Sequence, residues 1–277
     1  MSDLTARART SHRIRLRRPG LVPAVVAASM FAALVTGCSS SSDSKSTTSS
    51  APPSGQLPEA AQIVQESART TQTLQAVHLN LKVDNLTNLP VETVSADVTN
   101  QPQGAGQAIG EAKVRTKPEA DFIQAKFLVV DKVMYAQTGG SSAYAKVGSA
   151  EQIYDPGVIL DKDKGLANLI AQVKNPKVEG REKLDGTDTV KVSGTIDSSV
   201  IDPIVPKSGD PAGTFPITLW IADVAPPSGS ASALPSQAAS PGTGPNLVQA
   251  VVKRDPGTIK VTLSAWGKPV KVTAPPK

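Results

Sequence analysis

This 277-residue chain contains one cysteine and two histidines. A single thiol excludes an internal disulfide framework. Zinc and copper sites draw on Cys and His, so no metal and no cofactor is expected. The histidines are His12 and His78. A Ser-His-Asp triad would have to use His78, yet His78 alternates with Val77 and Leu79 as a surface residue does. No Gly-x-Ser-x-Gly elbow accompanies it, and no catalytic residue is assigned. Aromatic residues make up 3% of the chain, too few for the stacking platforms of single-strand nucleic-acid binders. Gly104-Ala105-Gly106-Gln107-Ala108-Ile109-Gly110 brings its third glycine one residue late for a dinucleotide loop, and it enters a strand pattern. The Asp161–Lys164 run lacks the Gly and terminal Glu of a calcium loop.

Net charge is also missing once the N-terminus is set aside. Residues 1–37 hold Arg7, Arg9, Arg13, Arg15, Arg17, Arg18 and one acid, Asp3. Removing them from 29 basic and 24 acidic residues leaves 23 of each. A neutral remainder offers no electrostatic case for nucleic acid. The arginines precede an apolar run from Leu21 to Val35, then Val35-Thr36-Gly37-Cys38. Charged, apolar and small-residue regions in that order make a secretory signal. As a helix the run rises only about 22 Å, short of the roughly 30 Å of bilayer hydrocarbon, which disfavours a transmembrane span. The Val-Thr-Gly-Cys end resembles the lipobox of bacterial lipoproteins. That resemblance implies cleavage before Cys38 and a diacylglyceryl thioether there, with palmitate-type chains. The protein would then be lipid-anchored on the extracytoplasmic face of the cell membrane, in the cell envelope. Residues 38–57, mostly Ser and Thr with Pro52-Pro53, form a tether spanning about 25 Å root-mean-square.

The rest, 58–277, is expected to be a single domain. Pro58 and Glu59 open a helix with Ile63, Val64, Ser67, Thr71 and Leu74 on one side. Val77, Leu79, Leu81 and Val83 alternate with polar residues as a half-buried strand. Val94–Val98, Ala108–Val114, Phe122–Val130, Val133–Gln137 and Tyr144–Val147 continue the strand pattern. Tyr154–Asp161 reads as a short helix or turn, and Leu166, Leu169, Ile170 and Val173 fall on a helix face. Sheet returns with Val178–Leu184, an Asp185-Gly186 turn and Thr189–Ile196. Ser198 is expected to cap a short helix. Phe215–Ile221, Val248–Lys253, Ile259–Trp266 and Val270–Val272 complete the strands. Residues 225–245 are a Pro/Ser/Ala/Gly-rich insertion, read as a mobile loop. About ten strands with segregated helices indicate α+β with a large, mostly antiparallel sheet.

The order and spacing of several segments resemble the mycobacterial LppX/LprAFG lipoproteins. They are Val77-His78-Leu79-Asn80-Leu81, Tyr154-Asp155-Pro156, Gly165-Leu166-Ala167-Asn168-Leu169-Ile170, Leu184-Asp185-Gly186, Leu219-Trp220-Ile221-Ala222 and Trp266-Gly267-Lys268-Pro269. The resemblance covers roughly Leu57 to Pro276. The 225–245 stretch departs from it, since the family joins those strands by a much shorter link. The resemblance implies a curved half-barrel sheet with helices on its concave face, enclosing an apolar cavity for acyl chains. It implies a triacylated glycolipid or other long-chain lipid as partner, carried across the envelope. The alternative is an anchored interaction module that regulates a membrane transporter or sensor kinase. Candidate lipid-binding positions on the sheet are Leu79, Leu81, Val83, Ile123, Phe127 and Val129. Ile159, Leu160, Leu166, Leu169 and Ile170 would form the roof.

Overall fold

The computed structural model describes residues 57–102, 105–117, 119–205, 212–224 and 243–276. The signal, Cys38, nearly all of the tether and most of the 225–245 insertion lie outside the described residues. Among the described residues no helix is long and apolar enough to cross a membrane.

Helix α1 (Ala60–Gln72) precedes six strands: β1 (Ala76–Asp84), β2 (Val91–Thr99), β3 (Gln107–Val114), β4 (Ile123–Val130), β5 (Val133–Thr138) and β6 (Ala145–Ser149). A connector follows, made of α2 (Ala150–Ile153), a 3-10 helix (Pro156–Leu160) and α3 (Leu166–Ala171). Then come β7 (Lys174–Leu184), β8 (Thr187–Asp197), α4 (Ser198–Ile201), β9 (Thr214–Ala222), β10 (Leu247–Arg254) and β11 (Gly257–Ser264).

The strands form one eleven-stranded sheet in the order β6-β5-β4-β3-β2-β1-β11-β10-β9-β8-β7. Every neighbouring pair is antiparallel. Two meanders, β1–β6 and β7–β11, are joined where β1 pairs with β11, so β6 and β7 are left as opposite edges. Neighbouring antiparallel strands need only short turns. The β7–β8 turn uses Asp185 and Gly186 with φ of 48° and 83°, the left-handed pair that a two-residue hairpin favours. The link from β6 to β7 must instead traverse the sheet, and the connector does this.

Alternation assigns the faces. Leu79 pairs with Ala96 and Leu263, Leu81 with Val94 and Val261, and Val83 with Ile259. These lie on the inner face, toward the helices, while His78, Asn80 and Lys82 lie on the outer face. Helix α1 packs on α3, β7 and β9, the 3-10 helix on β2 and β3, and α4 on β8. Ile63, Val64 and Leu74 join the inner strand residues and the connector in one continuous aliphatic cluster.

Three local expectations change. The α1 helix begins at Ala60 with Glu59 in the extended N-cap position, so Pro58 precedes the first turn. Asp197, not Ser198, occupies the N-cap of α4, and the Ser198 hydroxyl accepts from the Gly213 N–H at 3.1 Å. Val270–Val272 is not a strand. Strand β11 already has β1 and β10 on its two sides, so the chain beyond it has no free edge to join. The tail lies on the outer face instead, where Val270 and Val272 pack with Leu128, Val130, Tyr135 and Tyr144.

Candidate functional site

The inner face has two unlike halves. On β8–β11 and the adjoining rows, Val190, Val192, Ile217, Leu219, Ile221 and Leu263 are each no more than 1% exposed. Helices α1 and α4 cover this half through their contacts with β7, β8 and β9, and α3 packs on both helices. On β2–β4 the same face carries Ala96, Ala108, Gly110, Ala112 and Ala125 in adjacent register positions. The 3-10 helix covers that half. Contact there is backbone to backbone: a Cβ on Gly106 would stand 2.2 Å from the Gly157 Cα, so only glycine fits.

The connector is held at defined points. The Asp155 carboxylate accepts from the Gly157 N–H at 2.8 Å, starting the 3-10 turn. The Tyr154 hydroxyl donates to the Ile204 carbonyl at 2.6 Å, tying the connector to the segment after α4. Burial pushes the Tyr154 phenol above its ordinary pKa, and the nearby Asp155 carboxylate adds to the shift.

Most of the positions named from sequence come together. Leu79, Val83, Ile159, Leu160, Leu166, Leu169 and Ile170 are buried in the same cluster, with Leu81 and Phe127 half-buried against it. Val129 is buried too, at 1%. Ile123 differs: it keeps the inward alternation but is 47% exposed. It is the first residue of β4, paired with Val114 at the last residue of β3, beyond the cover of the connector. Cys38 lies outside the described residues.

Sheet and roof side chains meet in the aliphatic cluster rather than standing apart. Facing apolar layers close on one another because a dry gap forfeits dispersion contacts. Two open pockets among the described residues lie mostly on the outer face. One, of about 280 Å³, is bordered by His78, Asp97, Ile109 and the tail residues Lys268–Lys271. The other, of about 420 Å³, is bordered by Asn80, Lys82, Ser95, Glu111 and Lys260. Both fall below the roughly 1,000 Å³ that would exceed the usual small-ligand range. His78 is an outer-face residue as its alternation implied, with Nδ1 2.7 Å from the Asp97 carboxylate. Among the described residues no group of three or more His, Cys, Asp or Glu could hold a metal ion.

Sequence reasoning picked the large apolar residues and passed over the small ones. The signal was nevertheless present: Ala108, Gly110 and Ala112 alternate along β3 opposite Val98, Ala96 and Val94.

An open antiparallel sheet with a helical connector lying across its aliphatic face defines an α+β protein. The family model described as LppX_LprAFG lipoprotein matches residues 59–272, and the chain belongs to that family. It is 48% identical over 278 residues, 99% of each chain, to LprF of Mycobacterium tuberculosis, named as a candidate diacylated glycolipid transporter. It is 36% identical over 247 residues, 88% of this chain and 91% of the relative, to the lipoarabinomannan carrier protein LprG of Mycolicibacterium smegmatis. The crystal structure of LprF from Mycobacterium bovis superposes with a TM-score of 0.69 at 50% identity, covering 79% of this chain and 97% of that one.

Proposed function

We propose that this protein is a membrane-anchored carrier that takes up the acyl chains of a glycolipid and moves the lipid across the cell envelope, without a chemical step. The observation that carries this reading is the split inner face. One half is locked by large aliphatic side chains under α1 and α3, while the other mixes alanine and glycine with Val94, Val98, Phe127 and Val129 under a single 3-10 turn. Fully burying a Leu or Ile is worth about 1.5–3 kcal/mol, against about 0.8 kcal/mol per CH₂-sized group. The roof over the alanine half is therefore the part that lifts, and acyl chains replace it against the sheet. The short connector helices favour this, because helices of a few residues have little stability of their own.

The energetic logic is simple. A sixteen-carbon chain exposed to water costs on the order of 12 kcal/mol at about 0.8 kcal/mol per methylene. A container with an aliphatic interior removes most of that cost during transit. Cys38 carries the anchor outside the cytoplasmic membrane, and two or more acyl chains there give stable attachment. The naming of LprF as a glycolipid transporter and of LprG as a lipoarabinomannan carrier supports the reading.

Native mass spectrometry of protein purified from a mycobacterial host tests it. Co-purified acylated glycolipid is expected, with less on Leu81→Trp, which fills the row between the two halves. Protein that carries no lipid in either form overturns the carrier reading. Cys38→Ala is expected to move the protein from the membrane fraction to the soluble one, and unchanged fractionation removes the anchor.

A further inference from the structure

The tail beyond β11 borders a space of its own on the outer face. The Gly267 N–H donates to the Ala76 carbonyl at 2.9 Å, and Val270 and Val272 pack with Leu128 and Val130. Tied down at both places, the tail borders an open pocket of about 280 Å³ over β1–β3. His78, Asp97 and Ile109 line its sheet side, and Lys268 and Lys271 its tail side. Lysines on the neighbouring strands are matched to carboxylates: Lys82 to Asp84, Lys113 to Glu92 and Lys126 to Glu111. The ammonium groups of Lys268 and Lys271 have no such partner among the described residues. The one carboxylate that lines the pocket, Asp97, is already engaged by His78 Nδ1 at 2.7 Å. The other imidazole nitrogen, Nε2, has only a 3.4 Å contact with the Ser95 hydroxyl. Two unmatched cations and an imidazole edge thus border one concavity. Like charges around a small pocket repel each other, and a bound anion relieves that repulsion.

We propose that this pocket is a phosphate-binding site, with Lys268 and Lys271 meeting the charge of the anion and His78, held by Asp97, completing the wall. Lysine is a compact cation with three donors and a common phosphate ligand. A phosphate ester offers three strong acceptor oxygens, one for each ammonium group and one for the imidazole. A carboxylate has only two to share among the three. Ile109, 38% exposed, gives an apolar wall for the group that the phosphate carries. The chemistry suits free phosphate and the phosphate of a lipid head group alike. The pocket lies on the opposite face of the sheet from the aliphatic interior, so the inference goes beyond the carrier reading and does not rest on it.

Isothermal titration of the purified full-length protein with inorganic phosphate and with the short-chain lipid dihexanoylphosphatidate tests it. The first variant is Lys268→Ala with Lys271→Ala. The second, Lys162→Ala with Lys164→Ala, removes the same charge from the turn before α3. Wild type and the second variant are expected to bind phosphate alike. The first is expected to bind it about tenfold or more weakly, the low end for losing hydrogen bonds to a charged group. Both of its substituted side chains are exposed, so its thermal midpoint is expected to stay unchanged. Equal affinity of wild type for the two ligands, both weakened in the first variant, makes free phosphate the occupant. Tighter binding of dihexanoylphosphatidate, with the same weakening, makes it a lipid head group. A wild type that binds neither ligand, or a first variant that binds as wild type does, overturns the site and leaves the carrier reading standing. Equal losses in the two variants also overturn it, as an effect of net charge alone.

Discussion

The two halves of the sheet share hydrogen-bonding pattern and direction yet differ in how many small residues their inner faces carry. The β8–β11 half presents Ile, Leu and Val that are almost fully hidden. The β2–β4 half interleaves Ala96, Ala108, Gly110, Ala112 and Ala125 with Val94, Val98, Phe127 and Val129. Since stabilisation follows the apolar area removed from water, one half anchors the fold and the other is held more lightly. On the proposed carrier reading, rigidity and capacity to open fall to different strands of one continuous sheet. Placing low local stability where a ligand must enter is the general pattern for binding elements.

Four substitutions would break or sharpen this contrast. Leu219→Ala, in the locked half, is expected to cost about 2–5 kcal/mol through lost burial and a residual cavity, read as a lowered urea midpoint. Ala112→Leu, in the lighter half, is expected to cost near the low end of about 1–3 kcal/mol for overpacking. It should also reduce co-purified lipid. If its stability cost matches that of Leu219→Ala, the two halves are equally tight and the contrast fails.

Tyr154→Phe removes the tie between the connector and Ile204 and is expected to cost about 1 kcal/mol. It also changes the alkaline limb. Burial raises the Tyr154 pKa above the ordinary tyrosine value of about 10, so the unfolded chain releases its proton first. That contribution is complete below pH 10 and drains as pH rises further. Wild type should therefore lose stability above pH 10 more steeply than Tyr154→Phe, measured by denaturation at stepped pH. Ile123→Ser is expected to change stability by less than about 0.5 kcal/mol, as surface substitutions usually do. A larger loss would mean that Ile123 is covered after all.

Alternation made β1 readable, because Val77, Leu79, Leu81 and Val83 meet a period of two between polar neighbours. The same reasoning found α1, α3 and the Asp185-Gly186 turn. It found most of the residues now in the aliphatic cluster, since a large apolar residue on a periodic face is buried wherever that face packs. It misplaced Val270–Val272, whose composition suits a strand but which packs on the outer face with Leu128, Val130, Tyr135 and Tyr144, both sides of β11 being already paired. It overrated Ile123, because periodicity assigns a face and not the extent of the cover. The alanine stripe went unremarked because small residues carry little hydropathy signal, although their effect on packing is large.

The linear chain set the local geometry: which segments extend, which coil, and which side of each is apolar. Those properties follow from neighbours a few residues apart. Only the folded molecule decided that β1 lies beside β11, that the connector from β6 to β7 spans the inner face, and that Lys268 and Lys271 border one pocket with His78. Each of these depends on residues far apart in sequence meeting in space, where pairing edges and available volume, not local preference, select the outcome.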